Sequence, residues 1–274
     1  MEALLTRPEV QSAAAPLLVA LAVGLVLRAF GRPWPLLGAV AGFLATAWLV
    51  NGLQFTPLTG TRKIIVIAVA AGVAGIFLDL MPRLRGRLVW LVLLSTGAAL
   101  WLIWRVLVRR EGVDLIVVGA PAVAYVVWLT LSLDVGRRRE IPTLAAGLAL
   151  ALGTGAVNML GSSALLGQLA FGLGAAIGGV FLLVVFWKDS VAGAVFTVPA
   201  GILTGLLGYA GYSFAKVPWY ALAILAIVPL AAYIPLPQAW PRIVRAAMHT
   251  LFGVIVAVAA VGVVWWFMEF SGGY

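Results

Sequence analysis

Long apolar runs separated by short polar punctuation make up almost the whole chain. Stretches of membrane-spanning length follow one another from about residue 12 to 270, and they are continuous rather than alternating. Continuous runs suit helices, which satisfy every backbone group internally, whereas barrel strands would alternate apolar and polar positions. A bilayer core of about 30 Å needs roughly 20 apolar residues per helix. The pattern predicts ten helices near 12–31, 35–54, 63–81, 88–108, 113–133, 142–160, 164–187, 191–213, 217–235 and 243–270. Proline opens several of them, at Pro35, Pro142 and Pro218, where its missing N–H costs nothing. The expected fold is all-α: a polytopic integral membrane helix bundle in which residues 1–274 form a single membrane domain with short connections.

Composition removes the soluble alternatives. The chain is 64% hydrophobic and 10% charged, with a mean hydropathy of +1.13, far from globular usage. Met1 to Gln11 carries Glu2, Arg7 and Glu9 and lacks the basic start of a cleavable signal, so the first hydrophobic segment is expected to stay as a helix. The net charge of +9 comes from arginines at helix ends. That placement predicts membrane topology and lipid headgroups as its cause, with no nucleic-acid partner.

Ten crossings divide the basic residues between two sides. One holds Arg28, Arg32, Arg83, Arg85, Arg87, Arg137, Arg138, Arg139, Lys188, Arg242 and Arg245; the other holds Arg7, Arg62, Lys63, Arg105, Arg109, Arg110 and Lys216. The richer side is expected in the cytoplasm and both termini outside, in the inner membrane of a bacterium.

An internal echo runs through the pattern. Pro35 to Asn51 matches Pro142 to Asn158 at an offset of 107 residues, and Pro121 to Tyr125 matches Pro229 to Tyr233 at 108. Gly75–Leu78 resembles Gly179–Leu182 at 104. These matches predict a duplicated four-helix unit, residues 35–133 and 142–235. An even number of crossings returns the chain to its starting side, so the units would be parallel, related by an axis along the membrane normal.

Candidate chemistry is sparse. Without cysteine there are no disulfides, thiolate metal sites or thiol nucleophiles. Asp79 is expected to pair with Arg83 four residues on, Lys188 and Asp189 to share a loop, and Glu269 to sit at the interface beside Trp265 and Trp266. No carboxylate relay for protons is evident. His249 is the only histidine; it reads as a helix-end residue near Arg245, or as one ligand to a haem or chlorin in a larger complex. Ser163 with His249 resembles the pair of an intramembrane serine protease, but the Gly-x-Ser-Gly motif of the rhomboid family is absent. No metal site and no catalytic residue is assigned, and no cofactor is indicated.

The remaining candidates line a pathway or hold the bundle together. Asn51 and Asn158 end their helices on one membrane surface, as vestibule residues or as C-terminal caps. Pro121 and Pro229 fall inside hydrophobic helices and should kink them, with Tyr125 and Tyr233 one turn on. Gln168 opens a glycine-rich helix whose Gly174 and Gly178, like Gly201 and Gly205 further on, predict close helix contacts.

Two functions fit. The first is a permease or channel-like transporter of a small neutral or anionic solute, or of a lipid, with Asn51, Asn158, Gln168, Tyr125 and Tyr233 on its pathway. The second is a non-catalytic subunit of an energy-transducing or biosynthetic membrane complex, meeting other membrane subunits or copies of itself. An enzyme acting alone comes third, because the groups for acid–base or metal catalysis are not assembled.

Overall fold

The computed structural model describes residues 7–31, 33–52, 58–81, 86–187, 192–237 and 239–270. The described residues form ten helices and no strands. In chain order these are α1 (Val10–Phe30), α2 (Trp34–Asn51), α3 (Gly60–Leu80), α4 (Arg87–Leu107), α5 (Val113–Gly136), α6 (Glu140–Leu160), α7 (Ala164–Phe186), α8 (Ala194–Phe214), α9 (Trp219–Tyr233) and α10 (Arg242–Phe270). All but α9 are long and apolar enough to cross a membrane, so the protein is a multi-pass membrane helix bundle in contact with lipid.

The ninth helix departs from expectation. Instead of one kinked helix over 217–235, the α-helix stops at Leu225, and a 3₁₀ segment runs over Val228–Tyr233 with Pro229 in its first turn. Proline supplies no N–H, which orphans a carbonyl at the break. The indole of Trp128 on α5 donates to the Ala226 carbonyl at 2.8 Å, so the break is satisfied by a neighbour. Pro121, by contrast, lies inside an unbroken α5 and faces outward. Despite its break, α9 runs the height of the bundle. It leaves α8 at the end opposite Arg139 and returns to it, where the Arg139 guanidinium donates to the Tyr233 carbonyl at 3.2 Å. The connections α1–α2, α3–α4, α5–α6, α7–α8 and α9–α10 therefore share one face, here the arginine-rich end.

Three helices form the interior. α8 is buried on all sides among α3, α4, α5, α6 and α7; α7 lies between the α1–α2 pair and α6; and α6 also packs on α9 and α10. α1 and α10 are mostly outward-facing. Within lipid, burial of apolar surface expels no water, so close van der Waals packing and interhelical hydrogen bonds must hold the bundle. Small residues provide the packing. Gly174 and Gly178 of α7 receive Leu152 and Leu148 of α6, and Gly201 and Gly205 of α8 lie against Thr130 and Val126 of α5. Hydrogen bonds between helices include Tyr209 Oη to the Val118 carbonyl at 2.7 Å and Tyr233 Oη to the Ser132 carbonyl at 2.8 Å. Threonines inside the helices bond their own backbone, as Thr204 does to the Ala200 carbonyl at 2.6 Å, so they can be buried without a partner helix.

Packing differs between the segments 35–133 and 142–235. α6 lies along α7 while α2 and α3 touch only briefly, and α4 lies along α5 while α8 meets α9 little. The close glycine contacts make a direct prediction. Gly205→Leu, driven into Val126, should destabilise the bundle by about 1–3 kcal/mol in detergent melting. Gly97→Leu, where an added Cβ meets nothing within 4 Å, should melt like the wild type. Equal melting of the two variants would contradict the α5–α8 contact.

Candidate functional site

Two polar clusters sit at the arginine-rich end, and they differ in kind. The first locks the start of α8. Both carboxylate oxygens of Asp79, at the end of α3, accept the first free amides of α8, from Ala194 at 2.8 Å and Val195 at 2.9 Å. A helix N-terminus leaves such N–H groups unpaired and carries partial positive charge, which an acidic cap satisfies. Gly193 is required here, because a Cβ would run into the Asp79 carboxylate. Asp79 is thus a cap on another helix rather than half of a local pair; Arg83 lies outside the described residues, as do Lys188 and Asp189.

Asp134, the buried acid at the end of α5, completes this cluster. Arg87 grips it in a fork, Nη2 to Oδ1 at 2.6 Å and Nε to Oδ2 at 3.2 Å. Arg137 donates to it at 3.1 Å and the Thr197 hydroxyl of α8 at 2.9 Å. Arg87 also reaches within 3.9 Å of Asp79. Two carboxylates and two guanidiniums balance, and four helices meet through them. A bidentate, multiply bonded pair is the geometry that compensates for desolvation.

The second cluster is not balanced. A cavity of about 510 Å³ opens between the start of α6, the end of α9 and the start of α10, lined by Arg138, Arg139, Glu140, Arg242, Arg245 and His249 together with apolar residues such as Ile141 and Leu236. Arg242, Arg245 and His249 follow at three and four residues, placing them on one face of α10. Glu140 holds Arg242 only loosely, at 3.6 Å. Arg139 is pinned to the wall, its guanidinium 5.8 Å from the Tyr233 ring centre. His249 is 5% exposed and bonds the backbone of Ala231, yet its Nδ1 has no partner; neither do the buried Nε atoms of Arg242 and Arg245. A buried polar group left unpaired costs about 1–3 kcal/mol, so these three atoms set this cluster apart from the fully bonded lock.

The expected pathway residues are spread over separate helices. Asn158 is fully buried in α6, and its Nδ2 donates to the Leu207 carbonyl of α8 at 3.1 Å. Gly211 makes room for its Oδ1. It therefore joins two helices rather than capping one. Asn51 is the last residue of α2, half-buried, and Gly52 takes the positive φ that follows. Gln168 is half-buried near the start of α7. The Tyr125 ring lies against Gly208, its hydroxyl buried without a partner, and Tyr233 is bonded to Ser132. None of four cavities formed by the described residues is lined by any of these five. Ser163 caps α7 at the opposite end from His249, accepting from the Leu166 amide at 3.4 Å. Among the described residues no three His, Cys, Asp or Glu side chains gather.

Reading residues one helix at a time misses both clusters, since their members come from separate connections. The spacing of Arg242, Arg245 and His249, with the three arginines at 137–139, was the available signal. No family model matches the chain, and no curated protein matches it significantly.

The lock can be tested apart from the cavity. Asp134→Ala strands Arg87 and Arg137 and should cost about 3–5 kcal/mol of stability. Adding Arg87→Met to that variant should recover part of the loss on detergent melting. A single variant as stable as the wild type would contradict the buried pair.

Proposed function

We propose that this chain is a non-enzymatic permease-like protein that admits a small anionic solute or an anionic lipid headgroup, with the arginine-rich end in the cytoplasm. The observation that carries the reading is the basic cavity between α6, α9 and α10, with donors buried and unpaired. Intramembrane and interfacial cationic groups are expensive and mark ligand paths by default. α8 is buried on all sides, which suits a closed state of such a permease, and the element suited to moving is α9. It is short, broken at Pro229 and joined to α8 by few contacts. The cavity favours an anionic ligand over the neutral one that the sequence also allowed, and the reading does not depend on a duplication.

A second reading, a subunit of a larger membrane assembly, is favoured by the outward-facing tryptophans of α4, Trp90, Trp101 and Trp104. Reconstitution separates the two. Proteoliposomes holding only this chain should take up radiolabelled phosphate, or flip fluorescent phosphatidylglycerol, above the level of empty vesicles, and Arg245→Gln should abolish the excess. No flux from the isolated chain, with fixed partners retained on native mass spectrometry, would replace the permease with the subunit.

A further inference from the structure

We infer that the cavity between α6, α9 and α10 binds an organophosphate, its phosphate held by Arg242, Arg245 and His249 and its organic body against the apolar wall. This deepens the reading above and rests on its premise that the cavity is a ligand site. Charge sets the first constraint. Four arginines against Glu140 leave a formal excess of three positive charges around the space, with His249 neutral. A phosphate answers that excess, a monoester with up to two charges and the phosphodiester of a lipid headgroup with one.

Geometry sets the second constraint. Basic side chains line the cavity from one face of α10: Arg242 and Arg245, whose buried Nε atoms have no protein partner, and His249, whose side chain is 5% exposed. The first backbone amides of α6 and α10 start at the same cavity, and both helices are long. Phosphate presents acceptor oxygens in several directions, which suits donors converging from two helices, and guanidinium forks match it bidentately. A planar carboxylate would leave part of this set unpaired. His249 gives its Nε2 hydrogen to the Ala231 backbone, so its Nδ1 is an acceptor in the neutral ring and donates to a phosphate only when the ring is protonated.

Volume sets the third constraint. About 510 Å³ is the size of a site for a whole small molecule rather than a bare ion. Ile141, Pro142, Ile234 and Leu236 supply an apolar wall beside the basic face. The ligand is therefore a phosphate ester with a body, either a soluble phosphorylated compound or a phospholipid headgroup entering from the bilayer surface.

Binding to the purified full chain tests this, with two arms for the two sources. In detergent, melting is followed with inorganic phosphate against chloride at equal ionic strength. From nanodiscs of phosphatidylglycerol and phosphatidylcholine, native mass spectrometry reads which lipid stays bound. A phosphate-specific rise in melting temperature assigns the phosphate subsite of a soluble ligand; selective retention of phosphatidylglycerol assigns a lipid. In either arm Arg245→Gln should weaken binding roughly tenfold or more, while Arg105→Gln at the opposite end should leave it unchanged. No response of the wild type in both arms, or a response that Arg245→Gln does not alter, would overturn the inference. Flux of a non-phosphate anion without phosphate binding would sink the inference alone; phosphate binding without flux would sink the permease reading alone.

Discussion

Hydrocarbon offers no partner to a polar group, and the bundle is organised by how each of its polar groups finds one. The start of α8 shows this most sharply. A helix buried on all sides cannot leave its first amides to water, so Asp79 of α3 takes two of them and Asp134 of α5 takes the Thr197 hydroxyl one turn on. Arg87 and Arg137 then neutralise the acids. The ionic cluster ties the central helix to three neighbours at one end. Along the rest of its length, glycine and threonine faces let those neighbours close in. Neither arrangement would serve alone, because the packing fixes distance and the cluster fixes register.

The same constraint, left unmet, distinguishes the neighbouring cavity. Its arginines come from the α5–α6 connection and from α10, and only Glu140 opposes them. Lock and cavity sit at the same end of the molecule and draw on consecutive residues, Arg137 for one and Arg138 and Arg139 for the other. A rigid anchor beside an open basic space is a sound way to hold a ligand site steady. The broken α9 forms one wall of that space.

Much of the architecture was legible in the chain. Ten apolar runs became ten helices within a few residues, because length and continuity are local properties. The glycine pairs at 174 and 178 and at 201 and 205 found the close contacts they predict, since spacing of four puts both on one face. The site was not legible in the same way. Asp134 is bonded by Arg87 from 47 residues away, a pairing no local rule contains. Asn158, conspicuous as a polar letter in an apolar run, joins α6 to α8 and lines none of the four cavities. Pro229 broke its helix where a kink was expected, because Trp128 was at hand to satisfy the exposed carbonyl.

High-resolution cryo-electron microscopy of the protein in lipid nanodiscs tests the central claim most directly. The account predicts density for a bound group between Arg242, Arg245 and His249, with side chains packed without a gap around α8. An empty, water-filled space at the arginines together with an open channel running along α8 would contradict it.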